Sequence, residues 1–281
     1  MSDQPTLVSF IVAFFNEEGN LRRAHDEIAR LPALLPGIEV EMILVDDGST
    51  DGSWEIAGAL AAADRRVKAV RLTRNFGAHP AVLAGIAHST GHYVCDYAAD
   101  GQDPVEIFAE LVRKNIAERL PVSWGIRRRR ADAPLTRLLS GAFSLLLRRF
   151  ALPDYPREGL DVFCIDRRVA EFLLEHYDDS SSNLHGLIFW AERRSGYAPY
   201  ERRARAVGAS KWSLGKKINL FLNSFVSFSY APLRFVTAVG IIFALMGFAW
   251  GIHIVYHALV SGFPIAGFAS MRALPTNYND D

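Results

Sequence analysis

The sequence predicts a mixed α/β domain built on a mostly parallel sheet, followed by a membrane-spanning helix. Two observations predict the sheet. Apolar strand-like segments alternate with amphipathic helical segments over roughly the first 125 residues, and a polar motif follows each of the first four strands. A third observation predicts the membrane helix, because residues 235–271 contain no Lys, Arg, Asp or Glu.

The strands and helices follow from the local patterns. Four apolar segments are predicted to be strands: Leu7–Ala13, Val40–Val45, Val67–Leu72 and Tyr93–Asp96. Helices are predicted to begin near four residues: Glu17, Asp51, Ala78 and Pro104. The polar motifs after the strands are FFNEE, DDGSTDGS, TRNFGAH and AADGQDP. Because ligands of open α/β sheets bind outside the carboxyl ends of the strands, these motifs predict one binding crevice.

The segment MILVDDGSTDGS, residues 42–53, carries the strongest local signal. An apolar strand ends at Asp46 and Asp47, and a glycine-containing turn with a helix N-cap follows at once. A surface Asp-Gly turn with a capping Asp would account for this string taken alone. Two adjacent acids at the end of a buried strand, together with the other three motifs, favour a ligand site.

Charge is unevenly distributed along a chain whose formal net charge is zero. Residues 1–126 carry 11 basic and 18 acidic side chains, whereas residues 127–217 carry 18 basic and 11 acidic ones. The acidic part suits a metal and nucleotide site, and the basic part suits anionic headgroups or a phosphate-bearing substrate. Cys95 and Cys164 lie in apolar surroundings without metal-ligand spacing, which predicts buried reduced thiols and a cytosolic setting.

The uncharged stretch of 37 residues is longer than the roughly 20 that one span needs. Gly262, Pro264 and Gly267 interrupt it, so one span is predicted at about 235–260, with a re-entrant or interfacial tail at 261–271. A buried core helix is the alternative. The polar start MSDQPT predicts no signal peptide, and basic residues before the span predict a cytoplasmic large domain by the positive-inside rule.

Two amphipathic stretches, Leu135–Phe150 and Lys216–Tyr230, are candidates for the membrane interface. Packing on the sheet is an equal alternative for the first of them. The predicted organisation is therefore a cytoplasmic domain at 1–212, an interfacial helix at 213–231, a membrane segment at 232–271 and a polar tail at 272–281.

Together these motifs resemble the family 2 glycosyltransferases of the GT-A fold. The resemblance is greatest to the polyprenyl-phosphate glycosyltransferases, which include dolichyl-phosphate mannose synthase and bacterial undecaprenyl-phosphate sugar transferases. It runs from Val8 to about Met271 and rests on eight strings: FNEE, VDDGSTDGS, TRNFGAH, DGQDP, GIRRRR, LDVFC, RAVGASKW and APLRFVT. It implies inverting transfer of a sugar from a nucleotide donor to a polyprenyl phosphate at the cytoplasmic membrane. UDP is the expected nucleotide, with GDP-mannose open.

The resemblance implies a set of donor contacts. Asp47 would accept a hydrogen bond from the base, with Asp46 in support, and Glu17 would be a further nucleotide contact. Electrostatics at a helix start is the alternative for Glu17. The backbone of Ala13 and the ring of Phe15 would line the base slot, where the family usually has a proline and a tyrosine. The residues expected to approach the ribose or phosphates are Arg74 and Asn75.

A metal site is expected in DGQDP. A diphosphate leaving group departs readily when a divalent ion neutralises its growing charge, and hard oxygen ligands suit Mg²⁺ or Mn²⁺. Asp100 is the carboxylate expected to hold the ion, with Gln102 as a second ligand. In the family a DxD motif ends at the position of Asp100, but its first Asp is replaced here by Ala98. Asp103 is expected to be an N-cap ahead of Pro104.

The resemblance places Asp161 beside the anomeric carbon as a base or an orienting group. Orientation is favoured because a lipid phosphate, with a second pKa near 6, is largely dianionic at neutral pH. Such an acceptor needs charge compensation, a role that Arg127, Arg205 and Lys211 fit by sign and by motif.

Two alternatives stay open on the sequence. One is a glycosyltransferase with a glycan acceptor, which would not need Arg127, Arg205 and a basic segment at the membrane. The other is an impaired sugar-nucleotide-binding membrane protein, suggested by Ala98 and by the absence of the second membrane helix that bacterial members usually have. Nucleic acid is not an expected partner, because an apolar helix and a span follow GIRRRR. The sequence leaves homo-oligomerisation open.

Overall fold

The computed structural model describes residues 5–128, 156, 159–177, 183–203 and 231–261. The chain divides into two compact units, Met1–Ser229 and Tyr230–Asp281. The first unit contains a seven-stranded mixed sheet with helices on both faces, and the described part of the second unit is a long helix.

The first four strands match the sequence prediction to within two residues at each end, the third being one residue shorter than predicted, whereas the last three lie where the sequence analysis placed no strand. Their bounds are β1 (Thr6–Phe14), β2 (Ile38–Asp46), β3 (Val67–Arg71), β4 (Tyr93–Asp96), β5 (Val122–Arg127), β6 (Phe163–Asp166) and β7 (Ser195–Tyr200). The order across the sheet is β3-β2-β1-β4-β6-β5-β7. Strand β6 runs antiparallel to both of its neighbours, and the other pairs are parallel. The predicted mostly parallel sheet is confirmed.

The described helices lie between and after these strands. Their bounds are α1 (Leu21–Ala29), α2 (Leu31–Leu34), α3 (Ser53–Ala63), α4 (Ala78–His88), α5 (Val105–Glu118), α6 (Arg167–His176), α7 (Leu184–Ala191) and α8 (Ala231–Ser261). Helix α1 begins later than the predicted start near Glu17. Residues 18–20 form a turn instead, in which the N–H of Asn20 donates to the Glu17 carbonyl oxygen at 2.9 Å.

Both faces of the sheet are buried, as the alternation along β1 illustrates. Phe10 packs with Phe108 of α5 on one face, whereas Ile11 joins the cluster on the other face that includes Val82 of α4 and Val169 of α6. Successive strand residues point to opposite faces, so a central strand with helices on both sides reads as a continuous apolar run.

The two cysteines are neighbours in the sheet. Cys95 of β4 pairs in register with Cys164 of β6, and both are buried and free. The prediction of buried reduced thiols is confirmed.

The second unit contains α8, a helix of 31 residues. Its segment Val236–His257 has a mean hydropathy of 2.1 over 22 residues, with none of the apolar window buried. At 1.5 Å per residue it is about 33 Å long, which matches a hydrocarbon core of about 30 Å. Among the described residues, α8 is thus one helix long and apolar enough to cross a membrane, as predicted. The interfacial stretches Leu135–Phe150 and Lys216–Tyr230 and the polar tail lie outside the described residues.

Candidate active site

The first two polar motifs, FFNEE and DDGSTDGS, are hydrogen-bonded to each other at the carboxyl ends of β1 and β2. The backbone N–H of Asn16 donates to Ser49 Oγ at 2.9 Å, and the N–H of Thr50 donates back to Asn16 Oδ1 at 2.7 Å. The N–H of Glu17 donates to Ser53 Oγ at 2.8 Å. These reciprocal bonds fix the backbone of the FFNEE loop against the DDGSTDGS turn.

The adjacent acids Asp46 and Asp47 do different things. Asp46 is fully buried, accepts a hydrogen bond from the N–H of Ser49 at 2.8 Å and lies 3.1 Å from Arg71 Nε, so it holds the turn. Asp47 accepts bonds from the backbone N–H groups of Phe76 and Gly77, at 2.7 and 2.9 Å. It therefore ties β2 to the loop that begins α4.

Burial raises the pKa of Asp47, although the two backbone hydrogen bonds oppose the shift and the charge of Asp46 adds to it. Each Asp47 oxygen retains a further lone pair, so the carboxylate can accept another donor beside the loop. Its contact with a nucleotide base stays a prediction.

The third motif packs directly on the turn at Gly48. This residue has a φ of 75°, and a Cβ there would lie 2.7 Å from the carbonyl carbon of Arg74 and 2.8 Å from the nitrogen of Asn75. The Arg74 guanidinium stacks on the ring of Phe76 at 4.4 Å, and Arg74, Asn75 and Phe76 are exposed. The structure thus brings Arg74 and Asn75 to the same sheet edge as Asp47.

The remaining predicted donor contacts lie at the end of β1 and on the loop that follows it. Ala13, Phe15 and Glu17 are half-buried there. The Glu17 carboxylate accepts a hydrogen bond from Asn20 Nδ2 at 2.7 Å, which holds it at the start of α1. Both the nucleotide role and the helix-start role of Glu17 fit this position.

The fourth motif forms a turn attached to the segment after β7. The N–H of Gln102 donates to Asp100 Oδ1 at 3.1 Å, and Asp100 Oδ2 lies 3.4 Å from Arg202 Nη2. Gln102 Nε2 donates to the carbonyl oxygen of Arg203 at 3.1 Å, while the Arg203 N–H donates to the Gln102 carbonyl oxygen at 2.9 Å.

Asp103 of this turn belongs to a network of four side chains that also includes Tyr200, Asp161 and Arg127. Arg127 binds the Asp161 carboxylate through both Nε and Nη2, the latter at 2.7 Å from Oδ1. The hydroxyl of Tyr200 lies 2.9 Å from Asp161 Oδ2 and 2.7 Å from Asp103 Oδ1. The structure thus brings together the predicted residues Arg127 and Asp161, which are 34 positions apart in the sequence.

The expected N-cap role of Asp103 is wrong. Pro104 is the N-cap residue of α5, and no side chain caps that helix. Asp103 is 1% exposed and contacts Tyr200 and Arg202 instead, with Arg202 Nε 3.0 Å from its Oδ1. A buried carboxylate facing an arginine and a tyrosine belongs to the network, not to the helix end.

Negative charge concentrates around this network. Burial raises the pKa of Asp96, at the end of β4, to about 7, and the charges of Asp103 and Asp161 add to the shift. Burial also raises the pKa of Asp103, against the opposing effects of Arg202 and Tyr200. Carboxylates such as Asp96 and Asp103, whose pKa is raised mainly by burial, are typical of functional sites.

The model of the family described as Glycosyl transferase family 2 matches residues 9–168 of this chain. The chain belongs to that family. It is accordingly a glycosyltransferase, as the resemblance implied, and the matched region contains the four polar motifs and Asp161.

Relatives match this glycosyltransferase over most of its length. A bactoprenol glucosyl transferase of Shigella phage SfX is 31% identical over 264 residues, covering 94% of this chain and 86% of the relative. An undecaprenyl-phosphate 4-deoxy-4-formamido-L-arabinose transferase of Klebsiella pneumoniae is 31% identical over 263 residues, covering 91% of this chain and 77% of the relative.

Solved structures share its fold. A mannosyltransferase of Pyrobaculum calidifontis, in complex with GDP-Man and Mn²⁺, has a TM-score of 0.53 at 18% identity and covers 97% of this chain and 85% of its own. A glucosyl-3-phosphoglycerate synthase of Mycobacterium tuberculosis was solved in complex with Mn²⁺, UDP and glucosyl-3-phosphoglycerate. It has a TM-score of 0.51 at 17% identity, and the match covers 78% of this chain and 77% of the synthase chain. The GT-A fold of this glycosyltransferase is therefore shown.

The residues predicted to hold a metal fit a divalent ion bound together with a diphosphate. Among the described residues, no three His, Cys, Asp or Glu side chains form a metal-binding group. Mg²⁺ in phosphate-transfer sites is held by one or two carboxylates plus substrate phosphates, so the single carboxylate of Asp100 is an adequate protein ligand. Gln102 uses its amide nitrogen on Arg203, so the amide oxygen would be its ligand atom.

Sequence reasoning missed Tyr200, Arg202 and His185. His185 Nε2 lies 2.6 Å from the backbone carbonyl oxygen of Asp161. Burial lowers the pKa of His185, so the ring is neutral and must carry its hydrogen on Nε2 to donate. The local signal for Tyr200 was its place at the end of an alternating strand just before Arg202 and Arg203. The predicted acceptor residues Arg205 and Lys211 lie outside the described residues.

Proposed function

We propose that this glycosyltransferase moves a sugar from a UDP-linked donor to a polyprenyl phosphate at the cytoplasmic face of a membrane, with inversion at the anomeric carbon. The observation that carries the proposal is the Arg127–Asp161 pair, joined through Tyr200 to the turn that contains Asp100. The relatives named for bactoprenol and undecaprenyl phosphate, and the apolar helix α8, support a lipid acceptor.

On the donor side, the first three motifs bind the nucleotide and DGQDP faces its diphosphate. Asp47 and Glu17 supply acceptors for N–H and O–H groups, while Arg74 supplies positive charge for phosphate. A divalent ion held by Asp100 would neutralise the charge that develops on the diphosphate as it leaves. Arg202, 3.4 Å from Asp100, adds a positive charge at the same edge of the site.

On the acceptor side, Asp161 orients and does not need to remove a proton. Arg127 and Tyr200 engage both of its oxygens, which holds the carboxylate in one orientation. The phosphate of the acceptor is already largely dianionic near neutral pH. A guanidinium carries five N–H donors, so Arg127 can hold Asp161 and a phosphate oxygen at once. Its charge offsets the repulsion between acceptor and donor phosphates.

The test uses membranes that contain the full chain, incubated with a panel of labelled nucleotide sugars. Organic-extractable label is expected from a UDP-sugar, with a β-linked product by NMR. Asp100→Asn provides the inactive control. Lipid label from GDP-mannose alone would change the proposed donor and support the proposed lipid acceptor. Transfer only to a soluble glycan would overturn the lipid-phosphate proposal.

Arg127→Ala separates the acceptor role from the donor role. A charge-assisted hydrogen bond to a partly buried anion contributes roughly 1.5–3 kcal/mol, so transfer to lipid phosphate should fall about ten-fold or more. Donor affinity by calorimetry should change far less. The matched control is Arg168→Ala, since that arginine is 83% exposed and pairs with Asp166. Equal losses in both measurements would assign Arg127 to the donor diphosphate.

A further inference from the structure

Tyr200, the last residue of β7, is fixed in the wall of the site. It is 6% exposed, and its ring packs so closely on Gly125 of β5 that a Cβ there would lie 3.1 Å from the ring. The direction of the hydroxyl is thus set by the sheet itself. Its oxygen points between two carboxylates, 2.7 Å from Asp103 Oδ1 and 2.9 Å from Asp161 Oδ2.

The hydroxyl acts as a hydrogen-bond donor here. Burial, followed by the charges of Asp103 and Asp161, raises the pKa of Tyr200, so the oxygen keeps its hydrogen at neutral pH. A phenol has one hydrogen and donates to one carboxylate at a time. The two acids therefore share one donor, which draws them toward a common point.

The two acids belong to different parts of the site. Asp161 precedes β6 and is held by Arg127, whereas Asp103 lies on the turn of Asp100. Arg202 strengthens the second attachment, because its guanidinium contacts both Asp103 and Asp100, with Nη2 at 3.3 and 3.4 Å from their Oδ2 atoms. Tyr200 thus joins the diphosphate side of the site to the side proposed to face the acceptor.

We propose that Tyr200 is a positioning residue for sugar transfer: its hydroxyl fixes the Asp161 carboxylate relative to the DGQDP turn. The sugar between them is thereby presented to the acceptor in one geometry. This inference rests on the proposed function, and Tyr200 acts through Asp161 without itself joining the chemical step. Positioning of this kind affects turnover more than donor binding.

The first test is Tyr200→Phe, which removes the hydroxyl and keeps the ring that packs on Gly125. Turnover is expected to fall roughly 10- to 100-fold, with donor affinity changed less than about two-fold. The matched control is Tyr97→Phe, because the Tyr97 hydroxyl is also buried and has no hydrogen-bond partner among the described residues. That variant should keep wild-type turnover. Unchanged turnover in Tyr200→Phe would overturn the proposal.

The second test asks whether Tyr200 acts through Asp161. In an Asp161→Asn background, adding Tyr200→Phe should lower turnover by less than about two-fold, since residues in one network are not additive. A full multiplicative loss would contradict the inference. This background also removes one of the two charges that would face the Phe ring, so the comparison survives if the single variant is unstable.

The role of Tyr200 and the proposed function are decided by different measurements. Lipid-linked product from the wild-type chain decides the proposed function. The ratio of variant to wild type is also measured as release of the nucleoside diphosphate by slow donor hydrolysis, which needs no lipid acceptor. A wild type without lipid product would therefore reject the acceptor proposal, while the hydrolysis ratios would still decide the role of Tyr200.

Discussion

Replacing Gly48 with Ala should separate the third polar motif from the turn that carries Asp47. Gly48 has a φ of 75°, and an added Cβ would meet the backbone of Arg74 and Asn75 at 2.7 and 2.8 Å. These neighbours are backbone atoms, so no side-chain rotation relieves the contact. The loop itself must move, and with it the N–H groups of Phe76 and Gly77 that bind Asp47.

The expected cost has two parts. A left-handed conformation costs a non-glycine residue about 1–2 kcal/mol, and overpacking costs about 1–3 kcal/mol more. Gly48→Ala should therefore destabilise the protein by about 2–5 kcal/mol. At about 2–4 °C per kcal/mol for a domain of this size, the midpoint of thermal unfolding should fall by about 4–20 °C.

Two further glycines serve as controls in the same assay. Gly37 has a φ of 85° but open space around its missing Cβ, so Gly37→Ala measures the backbone penalty alone. Gly58 lies exposed within α3 with nothing nearby, and Gly58→Ala should stabilise the helix by about 0.5–1 kcal/mol. From the highest to the lowest unfolding midpoint, the expected order is Gly58→Ala, wild type, Gly37→Ala and Gly48→Ala.

Donor binding by calorimetry distinguishes the local effect from general destabilisation. Gly48→Ala should weaken nucleotide-sugar binding at a temperature where the protein is folded, because it displaces Arg74 and Asn75. Gly37→Ala and Gly58→Ala should bind as the wild type does. If Gly48→Ala matched Gly37→Ala in both stability and donor affinity, the steric reasoning would be refuted.

Three other predictions concern the acids of the site. Asp100→Asn should abolish turnover with the fold intact, and full activity in excess EDTA would remove the metal role. Ala98→Asp should preserve or raise donor affinity measured by calorimetry, and loss of turnover in that variant would indicate a different donor geometry. Asp96, with a pKa raised from 3.8 to about 7, stabilises the fold in its protonated form, a contribution lost as pH rises through 7. Asp96→Asn should therefore gain stability over the wild type between about pH 4 and 7, by a few kcal/mol, and a pH-independent difference in urea unfolding would contradict the shift.

The sequence by itself determined the elements that depend on local patterns. Apolar runs bounded by turn residues predicted β1 to β4 within two residues. Nearly continuous burial explains the runs of β1 and β2, whereas the edge strand β3 is mostly half-buried or exposed. The polar motifs follow these strands in the sequence, and a parallel sheet places the carboxyl ends of its strands at one edge. The uncharged run that forms α8 is likewise a property of composition and length alone.

Only the tertiary structure decided which side chains meet. The Tyr200 hydroxyl contacts Asp103 and Asp161 across 97 and 39 positions of sequence, and no local periodicity encodes such a pairing. The same holds for Asp103, whose place before Pro104 suggested a helix cap until burial beside Arg202 gave it another role. These contacts arise because the antiparallel β6 places the segment after Asp161 between β4 and β5, and β7 then adds beside β5. Strand order is a global choice made by packing, so the partners at the site follow from the fold and not from the motif.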